Sequence, residues 1–245
     1  AALYMGMLDW AELAETEMGD TSYYDWLVKL GRRYGWQPDK RMYHADDIAV
    51  GQVFIDLYNK YKDKNMLYPT QARAEWVVNH PSDGPMDLDY KKRETLERWT
   101  WCDALYMAPP VYVKLYMLTG DKRFIKFMNK EYKATYDLLF DKDERLFYRD
   151  SRYLTQKEAN GAKVFWGRGN GWVLGGLAEM LQDFPKNDKN RKFYEELFVT
   201  LSARVAELQS ADGFWHASML DPASYPSPET SATGFIVYAL AYGVN

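Results

Sequence analysis

Residues 99–139 read WTWCDALYMAPPVYVKLYMLTGDKRFIKFMNKEYKATYDLL. From Pro110 the apolar positions recur at helical spacing to Leu118, and Thr119-Gly120-Asp121 breaks the run. Lys122 opens a second helical stretch that lasts to Leu139. Helix, short turn and helix predict an antiparallel hairpin. The front of the stretch has another character. Asp103 is the only charged side chain between Trp99 and Val113. A carboxylate set among Trp99, Trp101, Leu105, Tyr106 and Met107 loses hydration, and desolvation raises a carboxyl pKa toward the range of a working acid. Aspartate is also a favoured helix N-cap, so capping is the competing role.

The hairpin unit recurs on both sides of this stretch. Residues 2–18 carry Leu3, Met7, Trp10, Leu13 and Ala14 near helical spacing, Gly19-Asp20 ends them, and 21–35 reads as their partner. A third helix is predicted over 46–62 and a fourth over 66–79, begun by Pro69-Thr70. Residues 80–90 form a loop. Residues 140–164 read as non-helical, with room for short strands over one end of the domain. Helix returns over 171–183, pairs with 188–209, and appears again over 230–242. No stretch alternates long enough for a major strand, so the fold class is all-α. The long loops at 37–46, 80–98, 140–166 and 211–229 favour a ring of helix pairs over a short-loop bundle, because long loops in compact domains tend to be functional. No linker divides the chain, which predicts a single domain over 1–245.

Bulk properties narrow the function. The chain has 245 residues, 47% apolar and 27% charged, with a net charge of −4, which gives no support to a nucleic-acid partner. Nine Trp, 20 Tyr and 11 Phe suit stacking on sugar rings as well as core filling. One cysteine excludes an internal disulfide. No apolar run approaches the roughly 20 residues of a membrane span. Both ends read as cut, so a leader would lie upstream, and cytoplasmic and periplasmic locations both stay open.

Two further motifs carry polar groups at element starts. In RMYHADDIAVGQ (41–52), Asp46 and Asp47 open a helix about 100° apart around its axis, so one of them faces a central cavity. The alternative is that the first caps the helix and the second favours its dipole. The histidines His44, His80 and His216 show no metal-ligand spacing, and no metal or cofactor is expected. In VFWGRGNGWVLGGL (164–177), Gly167, Gly169 and Gly171 flank Arg168 and Asn170 ahead of a helix. Glycines allow positive φ and close backbone approach, so Arg168 and free N–H groups at the helix start can meet a carboxylate. The phosphate-loop spacing is absent, and the competing role is a tight connection whose arginine pairs with a structural acid. In 212–240, Trp215 and His216 precede a proline-broken loop, and Thr230 or Ser231 can cap the helix that follows.

Together HADDIAVGQ (44–52), RWTWCDALYMAPPVY (98–112), FWGRGNGWV (165–173) and DGFWHASMLDP (212–222) resemble, in this order, the unsaturated rhamnogalacturonyl hydrolases of glycoside hydrolase family 105 and the related unsaturated glucuronyl hydrolases. The resemblance implies an (α/α)6 toroid of six helix pairs. About nine helices are counted here, so one is expected missing at the front and two or so at the back. It also implies release of a 4,5-unsaturated uronic acid from lyase-generated oligosaccharides of pectin type, by protonation and hydration of a vinyl ether rather than by two flanking carboxylates. Release from ulvan or glycosaminoglycan fragments is the alternative, and a silent glycan- or protein-binding toroid lies outside the class. On this resemblance Asp103 takes the general acid/base position. One of Asp46 and Asp47 is the second acid, and Arg168 pairs with the uronate carboxylate. Trp101, Trp166 and Trp215 become ring platforms, with His44 and His216 as polar contacts. Some members carry a histidine where this chain has LFYRDSRYL (146–154), so either Arg149 and Arg152 replace its role or this subsite reads a different sugar. An enzyme needs these groups converging on one pocket; a scaffold would scatter them.

Overall fold

The computed structural model describes residues 2–245. The chain folds as helical hairpins: α1 (Ala2–Met18) with α2 (Ser22–Arg33), then, after the single turn α3 (Ala45–Ile48), α4 (Gly51–Tyr61) with α5 (Lys64–Asn79). A second single turn, α6 (Ala104–Met107), leads into α7 (Pro109–Thr119) with α8 (Lys122–Leu139). Then come α9 (Gly167–Asp183) with α10 (Arg191–Glu207), and α11 (Thr230–Val244). Apart from the two single turns, nine α-helices are present among the described residues, as expected.

The first helix of each hairpin packs on the first helix of the next: α1 on α4, α4 on α7, α7 on α9, and α9 on α11. These form an inner row, while α2, α5, α8 and α10 lie outside it. The fold is therefore an α/α toroid, open between α11 and α1 among the described residues. Sequence accounts for the division. Nearly every residue of α9 is buried, which suits an element surrounded by neighbours. By contrast α8 buries one stripe (Phe124, Ile125, Met128, Tyr132, Thr135, Leu139) and keeps its charges off it except for Glu131, which is buried against Arg98. The inner helices run parallel, so their N-termini share one rim. The loops ending at 44, 103, 166 and 229 all deliver the chain to that rim.

Local chemistry sets most boundaries. Asp121 caps α8 by accepting from the Arg123 N–H at 2.9 Å, and Gly120 turns the chain at φ 72°. Some expectations need correction. The predicted helix over 46–62 is broken at Ala49-Val50 into α3 and α4. The next helix starts at Lys64, where Asp63 caps it, and carries Pro69 inside. Strand content among the described residues is one two-residue pair, Phe140–Asp141 with Leu146–Phe147, beside isolated bridges.

The α9 helix begins at Gly167, four residues before the predicted start, and none of its glycines has positive φ. Their use is close approach. A Cβ at Gly176 would lie 2.5 Å from the Leu105 carbonyl oxygen and 2.6 Å from the Tyr106 Cα, backbone that cannot yield cheaply. Gly176→Ala is expected to destabilise the fold by about 1–3 kcal/mol through overpacking. An unchanged denaturation midpoint would show that α6 can retreat from α9.

Candidate active site

Asp103 stands at the junction of the Trp99–Cys102 segment and α6. Its backbone is already helical (φ −61°, ψ −27°) and its side chain accepts no capping hydrogen bond. The capping role thus fails on geometry, because a side-chain cap requires an extended residue whose oxygen reaches back to the first turn. The carboxylate instead accepts a hydrogen bond from Cys102 Sγ at 3.3 Å, and burial raises its pKa above the ordinary value. The thiol and the charges of Arg149 and Arg168 oppose that rise without cancelling it. Cys102 itself is pinned by donating its N–H to the Arg149 carbonyl at 2.8 Å.

The two acids of the HADD segment divide as the helical angle predicts. Asp47 is buried, its side chain 3% exposed, and accepts from Arg41 through Nη2 at 2.5 Å and through the backbone N–H at 2.8 Å. That partner holds its pKa below the ordinary value against the opposing effect of burial. Asp46 keeps 45% of its side chain exposed, yet the surrounding protein raises its pKa, with the negative charge of Asp103 adding to the rise. A group both accessible and crowded lies in a concavity, here facing Asp103. Neither acid caps α3. His44 does, its Nδ1 accepting from the Asp46 N–H at 3.3 Å. His44 is buried against Trp101, with ring centroids 4.7 Å apart, and burial lowers its pKa. Gln52 ties the two acid-bearing segments together, donating to the carbonyls of Tyr106 and Met107, each at 3.1 Å.

Arg168 lies one residue into α9. Its Nη1 donates to Glu229 Oε1 at 2.7 Å, and its guanidinium carbon sits 4.2 Å from the Trp166 ring centroid. Glu229 also caps α11, accepting from the Ala232 N–H and from the Ser231 hydroxyl, so the expected cap by Thr230 or Ser231 gives way to it. Arg168 owes its place to Gly167 and Gly169. A Cβ at Gly167 would lie 2.2 Å from the His216 carbonyl oxygen, and one at Gly169 would press Cys102 Sγ at 3.0 Å. The start of α9 is thereby held against the Asp103 turn. Asn170, fully buried, secures the loop by accepting from the Phe147 N–H at 2.8 Å.

A cavity of about 370 Å³ opens beside these groups, walled by Arg149, Tyr153, Glu158, Trp166, Arg168 and Tyr225 among others. Arg149 and Arg168 line this cavity; Asp103 is not in its wall but feels both of their charges, and Asp46 in turn feels that of Asp103, so the four groups lie along one rim. Four other predicted contacts do not open onto the cavity, the buried His44 among them. Trp215 is 1% exposed, with its ring N–H donating to the Val205 carbonyl at 2.7 Å, so it is core and no sugar platform. Trp101 is buried beneath His44. His216 is buried, its Nδ1 3.1 Å and 3.2 Å from the carbonyls of Tyr225 and Ser227, and orders the loop before α11. Of the three tryptophans only Trp166 stays partly open. Glu229, the largely buried partner of Arg168, is not legible in the sequence because nothing local marks an acid as the mate of an arginine 61 residues away; Asp150 sits beside its arginines in LFYRDSRYL, but its complete burial between them is a tertiary fact. No group of three or more potential metal ligands occurs among the described residues.

A family model described as Glycosyl Hydrolase Family 88 matches residues 1–245. A protein of Formosa agariphila named unsaturated 3S-rhamnoglycuronyl hydrolase is 41% identical over 218 residues, 86% of this chain and 58% of its own. A protein of the same name from an Alteromonas species is 32% identical over 255 residues, 100% of this chain and 61% of its own. The chain thus spans about three-fifths of the length of the curated relatives it matches. A solved structure named as a polysaccharide lyase superposes with a TM-score of 0.87 at 30% identity, over 99% of this chain and 69% of that one.

Proposed function

The chain belongs to glycosyl hydrolase family 88, and on that premise we propose that it releases a 4,5-unsaturated uronic acid from the non-reducing end of lyase-generated oligosaccharides. The observation that carries this reading is the desolvated carboxyl of Asp103 set between an acid and two arginines. The C4=C5 bond of such a uronide is a vinyl ether. Asp103 delivers its proton to C4, which leaves an oxocarbenium at C5. Water adds at C5 and gives its proton to the Asp103 carboxylate. The resulting hemiketal opens to a ketone, and C1, now a hemiacetal, expels the neighbouring sugar as its alcohol. One carboxyl group performs both proton transfers, which explains why a single acid with a raised pKa suffices.

Arg168 binds the uronate carboxylate with the N–H groups that Glu229 leaves free, and the parallel N-termini of the inner helices favour an anion at this rim. Asp46 holds a sugar hydroxyl or the water, while Asp47 serves the fold through Arg41. A lyase reading, suggested by the name of one structural relative, would need a base to remove the C5 proton. A carboxyl whose pKa burial raises gives up a proton at higher pH than an ordinary aspartate, which favours the hydrolase.

Rhamnogalacturonan-type fragments are the first substrate class to assay, and the relatives' name, rhamnoglycuronyl hydrolase, makes rhamnose-linked uronides of ulvan type the second. The test is the absorbance of the conjugated alkene, which should fade when lyase-generated oligosaccharides are added. Persistent absorbance on both substrate classes would sink the proposal.

The two neighbouring acids give a contrast. Asp46→Asn should lower kcat at least about tenfold and leave the denaturation midpoint in place. Asp47→Asn should cost about 1–2 kcal/mol of stability, since its partner Arg41 is half exposed. Reversed effects would exchange the two roles.

A further inference from the structure

The turn that carries Asp103 ends on a double proline, which leaves it short of backbone donors. In a continuing helix the Tyr106 carbonyl would accept from residue 110 and the Met107 carbonyl from residue 111. Pro110 has no N–H to give, and the Val111 N–H goes to the Ala108 carbonyl at 3.0 Å instead. The last two carbonyls of α6 are therefore orphaned by the sequence itself. Gln52, fully buried near the start of α4, supplies the missing donors: its Nε2 donates to both carbonyls, each at 3.1 Å. Turned the other way, the amide would set its oxygen against two carbonyl oxygens, so this pairing fixes its orientation. Across the turn, α9 presses Gly176 against the Leu105 carbonyl, and the Tyr106 ring meets Trp172 at a centroid distance of 4.8 Å.

The bonds continue at both ends of this link. The Gln52 N–H donates to the Ala49 carbonyl at 3.2 Å, and the Ala49 N–H donates to the Asp46 carbonyl at 3.4 Å. On the other side, the N–H groups of Tyr106 and Met107 donate to the Asp103 carbonyl at 3.0 Å and 3.4 Å. One hydrogen-bonded chain thus runs from the backbone of Asp46 to the backbone of Asp103, and the Gln52 side chain carries it from α4 to α6. We propose that Gln52 is a positioning residue for the reaction, fixing where the Asp103 carboxyl stands relative to Asp46. The inference rests on the hydrolase reading for the roles of the two acids. Its leverage comes from geometry, since a displacement of about 1 Å at a reacting centre can cost on the order of 10²-fold in rate. A loosened turn would also let water reach the Asp103 carboxyl. Burial is the main cause of that group's raised pKa, so hydration would lower it.

The test begins with Gln52→Met, which keeps the length of the side chain and removes both donors. It should lower kcat about 10–100-fold and leave KM within about twofold, because the substrate carboxylate is held from α9 by Arg168. The alkaline limb of the pH–rate profile should move to lower pH, a shift that a smaller folded fraction would not produce. Gln52→Glu is the rescue variant. Protonated, it donates to one carbonyl; ionised, it repels both. Its deficit against the parent should therefore shrink as pH falls, and this variant carries the test if Gln52→Met does not fold. The effects of Gln52→Met and Asp46→Asn on kcat should combine less than multiplicatively, as expected of residues in one network. A folded Gln52→Met with parent kcat and an unmoved limb would overturn the proposal, as would a Gln52→Glu deficit independent of pH. A further readout needs no turnover. In the parent, Asp103→Asn should lower the Asp46 pKa, followed by NMR of labelled aspartate, because the Asp103 charge raises it; in Gln52→Met the same change should lower it less. An equal response in both would overturn the positioning role. If the parent bleaches no unsaturated substrate, the hydrolase reading falls, while this titration still decides whether Gln52 sets the relation between the two acids.

Discussion

Asp103→Asn is expected to abolish turnover of the unsaturated uronide, with a loss in kcat of at least about 10²–10⁴-fold, the scale of general acid–base catalysis. The amide keeps the shape of the carboxyl and removes its proton. Helix content and denaturation midpoint should hold, since Asp103 makes no capping bond that asparagine would have to replace. The pH dependence has a defined sign. Burial raises the Asp103 pKa, so the proton-bearing form persists to higher pH than for an ordinary aspartate. Activity should therefore fall as pH climbs through that raised value, on the alkaline side of the optimum. Cys102→Ala removes a hydrogen bond that favours the ionised form, so it should move the alkaline limb further up. A variant Asp103→Asn that bleaches substrate near the parent rate would remove Asp103 from the chemistry.

Arg168→Lys should raise KM about 10–100-fold on any substrate with the terminal carboxylate. The charge survives, but the fork that reaches Glu229 and a carboxylate together does not. The lysine would also lose the flat contact that sets the guanidinium 4.2 Å from the centre of the Trp166 ring. The effect should concentrate in KM if the carboxylate is held equally in ground and transition states. Kinetics indistinguishable from the parent would move the carboxylate to another cation, with Arg149 the nearest alternative on the same indole.

Much of the fold was legible because helices with one buried stripe announce themselves by period. The α7–α8 hairpin stands within one residue of its predicted limits, since Pro109, Gly120 and Asp121 act through local backbone chemistry alone. The start of α9 was not legible. Three glycines in five residues argue against helix by propensity, and only contacts with His216, Cys102 and α11 make their lack of a Cβ an advantage.

The site divides along the same line. Sequence by itself determined which residues are chemically unusual: a lone acid among tryptophans, an acid pair at a helix start, an arginine amid glycines. Those properties depend on neighbours a few residues away. Tertiary structure decided what each one faces. It turned Asp47 toward Arg41 and Asp46 toward Asp103, and it sank Trp215 and Trp101 into the interior. It also matched Arg168 with Glu229 across 61 residues. The reason is physical. Exposure, pairing and pKa depend on which atoms lie within a few ångströms, and at this rim those atoms come from the starts of separate helices brought side by side only when the inner row packs.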